Sequence, residues 1–388
     1  MRSLRLKIFL AGLACLLTLL ACGTTTTVTP TVPAATLPPA TDTPVPPTAT
    51  VPALPVVSSP SISSLDMLDV NNGWAMSDSA VLRTTDGGTT WYNATPSGLS
   101  GAPVESSFLD AATAWVGVAG ADPTTGTLYH TADGGVTWTS VAVPFGGGSI
   151  HFVDATHGWE LVGLNAGMSH EAVAIFRSSD GGATWSQVFV DDPTVAGSSD
   201  TLPLVGDKNG ITALDANNGW VTGAQPSTDF VYVYTSKDGG TTWAQQNVSI
   251  PAAYSGAMTS ADLPVFFGAS DAVLPVLLIA DTNGAEFYVS HDGGQTWTAT
   301  TPVAQGGFMA VASASDFFVW DGNAPLNVSH DGGSSWSAVT PNISIKDNMV
   351  SFQFVNATTG WALTDDASSH RMLYETTDGG ATWNVLVP

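Results

Sequence analysis

Carboxylates are the side chains with which this chain could most readily do chemistry. The sequence holds 28 Asp and 5 Glu. Two carboxyl groups at a suitable separation suffice for acid–base hydrolysis of a glycosidic bond. Glu160 and the adjacent pairs Asp191-Asp192 and Asp365-Asp366 are visible candidates, although surface loops account for them equally well. No spacing singles out one pair, so no catalytic residue is predicted.

Histidine and glycine patterns give no second candidate for chemistry. His170-Glu171 has no partner at metal-ligand spacing, and the acidic stretch 191–200 lacks the regular spacing of an EF-hand loop. The Gly-Gly pairs lead into predicted strands, where a phosphate loop would lead into a helix. We therefore predict no metal site and no cofactor. The seven histidines are His130, His151, His157, His170, His291, His330 and His370.

A six-residue box, Asp-Gly-Gly-x-Thr/Ser-Trp, occurs seven times and dominates the chain. Successive boxes begin 47, 47, 58, 54, 39 and 47 residues apart. A period of about 40–50 residues is typical of propeller or solenoid repeats. The boxes begin at Asp86, Asp133, Asp180, Asp238, Asp292, Asp331 and Asp378.

The composition of the box suits a tight turn between two antiparallel strands. Aspartate accepts hydrogen bonds from nearby backbone N–H groups, and paired glycines adopt positive φ without strain. A Ser or Thr two residues before each Asp can bond to the same turn. We therefore predict that the seven box aspartates are structural. We also expect His291 and His330, at the variable position before two of them, to face solvent.

A second element, Asp-x-x-x-Gly/Ala-Trp, precedes most boxes. Its copies begin at Asp69, Asp110, Asp154 and Asp215, with a variant at Asn356 and an apparent shortened copy from Asp316 to Trp320. Together the two elements use every tryptophan of the chain, so we predict packing between repeats as their role. The thirteen are Trp74, Trp91, Trp115, Trp138, Trp159, Trp185, Trp220, Trp243, Trp297, Trp320, Trp336, Trp361 and Trp383.

Each repeat is expected to hold four short strands, because turn signals separate four strand-like segments. Residues 61–388 are thus predicted to form an all-β, seven-bladed β-propeller of four-stranded blades with Asp-box turns. Seven repeats in order suggest that the ring closes by packing between the first blade near Ile62 and the last near Pro388.

The N-terminal 60 residues have the composition of a secretion signal and a spacer. Residues 1–21 combine three basic residues with an apolar run too short for a comfortable membrane span. Leu-Leu-Ala-Cys22 follows and resembles the lipobox of bacterial lipoproteins, which implies cleavage before Cys22 and its lipidation. Residues 22–60 are rich in Thr and Pro and should form an extended, disordered stalk. We expect anchoring on the extracytoplasmic face of a bacterial cell membrane, through the lipid only.

The charge is strongly acidic, with a formal net charge of −24. Three of the nine basic residues lie in the predicted signal, which leaves six against 33 acidic residues. Such a surface should repel nucleic acid and anionic lipid, and it could attract cations or a basic partner. Solubility in an exposed setting explains the same charge. We expect a monomer.

The boxes resemble the Asp-box, or BNR, repeat of sialidases and sortilin-type receptors. The longer pattern Phe-x-Asp-x-x-x-Gly-Trp plus box, seen at Phe152–Trp159 and with Asn at Phe354–Trp361, is most similar to photosystem II stability/assembly factor propellers. That resemblance implies a non-catalytic partner-binding role. The Arg-lined partner surface described for that family has no counterpart here, because only Arg83, Arg177 and Arg371 lie outside the signal.

The resemblance to sialidases implies a different function, in which three arginines hold the substrate carboxylate. This chain has the minimum number of arginines and lacks the Phe/Tyr-Arg-Ile-Pro motif; its nearest match is Phe176-Arg177-Ser-Ser. Arg83 and Arg177 precede boxes, which the resemblance places at the propeller rim.

We therefore predict a surface-anchored, non-catalytic scaffold that binds a protein or glycan. Residues 188–209 and 249–262, which lie in the two longest intervals between boxes, are the candidate partner surface, although neutral loop drift explains their length equally well. The alternative is a glycan-binding or sialidase-like glycoside hydrolase propeller.

Overall fold

The structure, a computed structural model, describes residues 53–122, 124–167, 170–225, 230–346, 348–365 and 371–387. Cys22, Asp366, His370 and the signal lie outside this range, as does the Thr/Pro segment up to residue 52. Within these ranges the chain consists of strands and loops, apart from one 3₁₀ turn at Ala252–Tyr254. No helix of the described ranges is long and apolar enough to span a bilayer.

Thirty short strands follow one another along the chain. The first fifteen are β1 (Val56–Val57), β2 (Ser64–Met67), β3 (Gly73–Met76), β4 (Val81–Thr84), β5 (Trp91–Asn93), β6 (Pro103–Phe108), β7 (Ala114–Ala119), β8 (Gly126–Thr131), β9 (Thr139–Val143), β10 (Ser149–Phe152), β11 (Gly158–Gly167), β12 (His170–Ser178), β13 (Ser186–Val190), β14 (Asp207–Ala213) and β15 (Gly219–Gln225). The others are β16 (Val233–Ser236), β17 (Ala244–Gln245), β18 (Met258–Ala261), β19 (Val265–Phe267), β20 (Asp271–Ile279), β21 (Gly284–Ser290), β22 (Thr298–Ala299), β23 (Phe308–Val311), β24 (Phe317–Trp320), β25 (Leu326–Ser329), β26 (Ser337–Val339), β27 (Met349–Phe354), β28 (Gly360–Asp365), β29 (Arg371–Thr376) and β30 (Asn384–Val387).

These strands form antiparallel sheets with one pattern, in which each strand pairs with the next along the chain. Four sheets have four strands, and one has five because β1 adds to the outer edge of β5. A nine-stranded sheet combines two further four-strand series, β14–β17 and β19–β22, which β18 joins. The result is an all-β fold of the β-propeller type. Strand β1 lies within the stretch that composition alone assigns to the stalk.

The pairing order gives every repeat two distinct ends. Because neighbours are antiparallel, the turn between first and second strands lies at the same end as the box turn between third and fourth strands. We name this the box end. In five repeats an indole N–H near the box end donates to the box end of the following repeat, for example Trp74 to the Asp110 carbonyl and Trp115 to the Gly181 carbonyl. The opposite end, the insertion end, carries the other connections, including residues 191–206.

The core consists of seven apolar clusters, each built from two consecutive repeats. One cluster joins Ile62 and Trp91 of the first repeat to Trp361 and Leu363 of the last. Trp361 Nε1 also donates to the carbonyl of Gly87 at 3.0 Å. The last repeat therefore packs directly on the first. Burial of each large side chain contributes roughly 1.5–3 kcal/mol, so closure rests on packing rather than on an exchanged strand.

Aromatic stacking explains the Phe of the repeat pattern. Trp115 stacks on Phe152 of the next repeat with ring centroids 3.6 Å apart, and Trp74 stacks similarly on Phe108. In the sixth repeat it is Phe318 that stacks on Phe354, at 3.7 Å. Phe and Trp thus form one recurrent pair between repeats.

The assignment of Asp316 and Trp320 as a shortened copy of the second element is therefore wrong. Phe317 pairs with the Ser two residues before its box, as Gly73 pairs with Thr84, so Phe318 takes the place of Trp74. Ser313 caps the preceding turn by accepting from the N–H of Asp316. Trp320 lies two residues farther on and stacks on Trp383 instead. Side-chain alternation along the strand places both residues on the same face.

Candidate functional site

The box turns form the same hydrogen-bond network seven times. In every copy the preceding Ser or Thr hydroxyl donates to the Asp Oδ1 at 2.8–3.0 Å and accepts from the second glycine N–H. The Asp Oδ1 also accepts from the N–H four residues on. Both glycines have positive φ, at 74° and 94° in Gly87 and Gly88.

These networks leave the box aspartates poorly suited to acid–base chemistry. The pKa of all seven lies below its ordinary value. At Asp292 the backbone N–H of Thr296 is the largest cause and lowers the pKa to about 2. At Asp331 the hydroxyl of Ser335 is the largest cause, with the same result. The first box glycine meanwhile donates to the turn between first and second strands, as Gly87 does to Asn71 at 2.9 Å. The carboxylates hold the turns together.

The three arginines contact three different pairs of repeats. Arg83 donates to the Gly134 carbonyl in the next box. Arg177 lies 3.7 Å from the centre of the Trp159 ring of its own repeat, and its Nη1 lies beside Gly239 of the next box. Arg371 pairs with Asp365 at 2.9 Å and reaches the Ser63 carbonyl of the first repeat. Each guanidinium is engaged at its own interface, so the structure does not bring them together as a carboxylate clamp.

The two box histidines are exposed, as expected, but each is hydrogen-bonded. His291 Nδ1 lies 2.7 Å from Asp271 Oδ1, and His330 Nδ1 lies 2.7 Å from Asp316 Oδ1. Both contacts link the box to the turn between first and second strands. The described residues contain no group of three or more side chains arranged to bind a metal ion.

Glu160, a candidate from the sequence, is fully buried beside Glu105 of the preceding repeat. Two glycines make room for the pair: a Cβ on Gly117 would clash with Glu105 Oε1, and one on Gly148 would clash with Glu160 Oε1. Burial raises the pKa of Glu105 to about 7, and burial together with the neighbouring charge raises that of Glu160 well above its ordinary value. Burial and the proximity of a second carboxyl group therefore favour protonation at this site. Sequence reasoning missed Glu105, which only the packing of two repeats brings close.

Asp191 and Asp192 lie in the segment 191–206, which one lysine holds in place. Lys208 is buried, and its Nζ lies 2.6–3.2 Å from four backbone carbonyls, among them those of Glu171 and Leu204. Asp191 accepts from the Val173 N–H, and burial raises its pKa. The segment, part of the predicted partner surface, is therefore anchored to the sheet. Its Leu202 is fully buried in the core.

A cavity of about 420 Å³ lies where the first strands of the repeats surround the axis. Asp66 and His151 line it together with Phe108 and Phe266. Burial raises the pKa of Asp66 and lowers that of His151. Asp66 is the one carboxyl group that lines this cavity. A two-carboxylate hydrolytic pair is therefore not assembled there.

Exposed apolar side chains concentrate at the insertion end. Seven of the eleven large apolar side chains that are exposed among the described residues lie there, at the starts of β6, β18, β23 and β27, near the end of β11 or in the segment 191–206. Val265, which starts β19, pairs instead with Val273 nearer the box end. Patches of exposed apolar surface commonly mark interaction sites. We name this set the apolar ring: Val104, Leu164, Val195, Val205, Met258, Phe308 and Val350.

Both predicted partner segments contribute to this end. The segment 191–206 borders two clefts of about 580 and 360 Å³, which share Pro193 and Leu204. The second segment, 249–262, contains β18, which pairs with both β15 and β20 and so fuses two repeats. Asn209 bonds to the Ala261 carbonyl at 2.8 Å and joins the two segments. The insertion end is therefore a firmly connected surface.

Comparisons with known proteins agree with this architecture. The family model described as BNR/Asp-box repeat matches residues 288–299, which include the fifth box. No curated protein matches the chain in sequence.

Solved structures share the fold at low sequence identity. The GH74 xyloglucanase from Xanthomonas campestris aligns with a TM-score of 0.54 and 13% identity over 86% of this chain and 55% of that chain. Prolyl oligopeptidase B from Galerina marginata aligns with a TM-score of 0.52 and 11% identity over 84% and 50%. YCF48 bound to D1 peptide aligns with a TM-score of 0.49 and 17% identity over 84% and 97%.

These neighbours differ in chemistry, and at such identities they share the fold alone. The chain spans about half the length of the xyloglucanase and the oligopeptidase. Repeat, register and fold agree: the chain is a β-propeller that carries the BNR/Asp-box repeat.

Proposed function

We propose that this chain is a non-catalytic, protein-binding propeller of seven blades that uses its insertion end as the binding face. The observation that carries the proposal is the apolar ring, because exposed apolar side chains cluster at one end and the box end is used for turn formation. The repeats supply one four-stranded series per box, which supports the count of seven blades.

Three features argue against a hydrolytic role. The box aspartates are bonded within their turns, the arginines are engaged at separate interfaces, and the central cavity has one carboxyl group. Asp365, the described member of its pair, is bonded to Arg371. Glu160 lies fully buried away from that cavity. Of the described candidates, Glu160, Asp191 and Asp365 are therefore buried or hydrogen-bonded.

The proposal extends to location. We propose that Cys22 carries a lipid and that the Thr/Pro stalk holds the propeller away from the extracytoplasmic face of a bacterial membrane. Metabolic labelling with a fatty-acid analogue tests this, with Cys22→Ser as the control. Label retained in Cys22→Ser would contradict it.

Affinity capture from the solubilised native membranes tests the binding function. The variant Val104→Ser/Phe308→Ser/Val350→Ser should lose a partner that the wild type retains. The matched control Val70→Ser/Val385→Ser changes exposed apolar side chains outside the apolar ring and should retain that partner. Equal capture by both variants would place the binding face elsewhere.

A second candidate function is binding of a small polar ligand, such as a glycan, in the central cavity. The favouring observation is the Asp66 carboxyl beside aromatic walls, because a carboxyl group can hydrogen-bond to a hydroxyl group. A glycan array with the wild type and with Asp66→Ala tests this. Binding that survives the substitution would exclude the cavity.

A further inference from the structure

The insertion end is acidic as well as apolar. Exposed aspartates lie in its connections and at its strand starts, on both sides of the apolar ring. They come from at least four repeats, so the acidic surface surrounds the axis rather than occupying one loop. These residues are Asp78, Asp122, Asp200, Asp207 and Asp281.

The cations described at this end are already engaged. Lys208 is buried against four carbonyls. Lys346 Nζ lies 3.6 Å from Asp321 Oδ2, and Arg371 lies 2.9 Å from Asp365. Apart from Asp207, which attracts the neighbouring Lys208, the exposed aspartates therefore have no counter-charge from the described lysines and arginines of their own end. Their negative field is available to a ligand.

We infer that the occupant of this face is a polypeptide segment in which Lys or Arg side chains flank apolar ones. The inference rests on the proposed binding function and specifies its partner. Apolar side chains of the partner would bury the apolar ring, and its cations would meet the acidic surface around it. Electrostatic complementarity of this kind raises the association rate and selects partners.

The same charge pattern disfavours other occupants. Nucleic acid and anionic lipid headgroups are negatively charged, as the insertion end is, and are therefore repelled by it. A second copy would present the same acidic end, which places like charges opposite each other in a symmetric dimer. The chain's own Thr/Pro segment carries one charge, Asp42, and no basic residue between positions 24 and 60. A cationic, partly apolar polypeptide satisfies both features of the face.

The test uses the full-length chain in detergent and three synthetic 16-residue peptides, read by fluorescence anisotropy. One mixes Lys and Leu, the second mixes Glu and Leu, and the third mixes Lys and Ser. We expect the Lys/Leu peptide to bind at least tenfold more tightly than either of the others. Raising the salt concentration should weaken it, since exposed charges are screened.

Two matched sets of variants locate the binding. Asp200→Asn/Asp207→Asn/Asp281→Asn should weaken Lys/Leu binding at least fivefold. The control Gln187→Lys/Gln245→Lys/Asn384→Lys changes the net charge by the same amount on outer strands. It should change the affinity for the Lys/Leu peptide by less than twofold. Val104→Ser/Phe308→Ser/Val350→Ser should also weaken it, in contrast to Val70→Ser/Val385→Ser.

The outcomes separate this inference from the proposed function. If the Glu/Leu peptide binds as tightly and the apolar-ring variant still weakens it, the face binds apolar segments but the cationic specificity is wrong. If the outer-strand charges weaken binding as much as the aspartate variant, the attraction is that of overall charge and the inference is overturned. If no peptide binds and the apolar-ring variant has no effect on membrane capture, both proposals fail.

Discussion

The two ends of this propeller use carboxylates in opposite ways. At the box end, each box aspartate accepts several hydrogen bonds within its own turn, and its pKa is lowered. At the insertion end, aspartates such as Asp207 and Asp281 are exposed beside apolar side chains. At the box end, the repeats therefore form a scaffold whose carboxylates are hydrogen-bonded within their own turns. The irregular connections at the other end provide the surface that a partner can recognise.

The buried glutamate pair between the second and third repeats adds a contrast inside the scaffold. Box aspartates stabilise the fold when ionised, whereas burial favours the protonated form of Glu105 and Glu160. The same functional group thus has opposite pH dependence at two places. Hydrogen bonds from backbone N–H and hydroxyl groups favour the ionised form of the box aspartates. Burial and a neighbouring carboxyl group disfavour the ionised form of the two glutamates.

Removal of the Lys208 ammonium is expected to be the largest single disruption of the insertion end. Lys208→Met leaves four carbonyls and the Glu171 and Asp191 carboxylates without their cation, which should lower the free energy of unfolding by roughly 3–5 kcal/mol. Urea denaturation followed by tryptophan fluorescence measures it. The control Lys237→Met, whose exposed ammonium reaches only Gln295, should change little. Equal losses would mean that the segment 191–206 is not held by Lys208.

The glutamate pair predicts a pH effect of the next size. Burial raises both pKa values, so the folded state holds more protons than the unfolded state above about pH 4.5. The stability that the pair contributes is complete below that pH and is lost as pH rises through about 7. The loss should be on the order of a few kcal/mol, at about 1.4 kcal/mol per unit of pKa.

Denaturation midpoints at pH 5 and pH 8 check this effect. The side-chain amide of Glu160→Gln can donate a hydrogen bond to Glu105 at any pH. This variant should therefore lose less stability than the wild type between pH 5 and pH 8. The control Asp281→Asn should keep the wild-type decline. A wild type that is as stable at pH 8 as at pH 5 would show that the pair is satisfied in another way, for example by a bound cation.

Loss of one box carboxylate should have a smaller effect, because the turn is short and exposed. Asp180→Ala removes the acceptor of the Thr184 N–H and of the Ser178 and Thr184 hydroxyls. We expect a loss of roughly 1–3 kcal/mol from unmade hydrogen bonds. Thermal unfolding measures it against Asp281→Ala, which lies at the other end. An unchanged melting temperature would contradict the scaffold role of the box.

Ring closure offers the smallest and most specific test of the scaffold. Trp361→Phe keeps an aromatic ring but removes the N–H that donates to the Gly87 carbonyl between last and first repeats. We expect a loss of about 1 kcal/mol. Hydrogen exchange should show increased opening at strands β2 and β28 together. Trp320→Phe, whose N–H bonds to Asn323 within its own repeat, should leave β2 unaffected.

Local chemistry made the repeat predictable, whereas contacts between repeats were not. Box residues meet within six positions, so their types specify the turn. Glu105 and Glu160 lie 55 residues apart, and nothing in the sequence marks them as a pair. Spacing from Asp316 predicts that Trp320 is the tryptophan of the second element in the sixth repeat. The strand register places Phe318 at that position instead. The sequence likewise did not indicate that the segment 249–262 contains a bridging strand. The pairing of β18 with strands of two repeats depends on how those repeats pack.

By itself the sequence determined the turns, the all-β character and the order of the repeats, because these depend on hydrogen bonds and φ angles within a few residues. Tertiary structure decided which carboxylates are satisfied, which are buried together and which face solvent. It also gathered the apolar ring, whose members are spread from Val104 to Val350. Curvature of successive packed sheets brings distant strand starts to one end, and this geometry arises only when the repeats pack on one another.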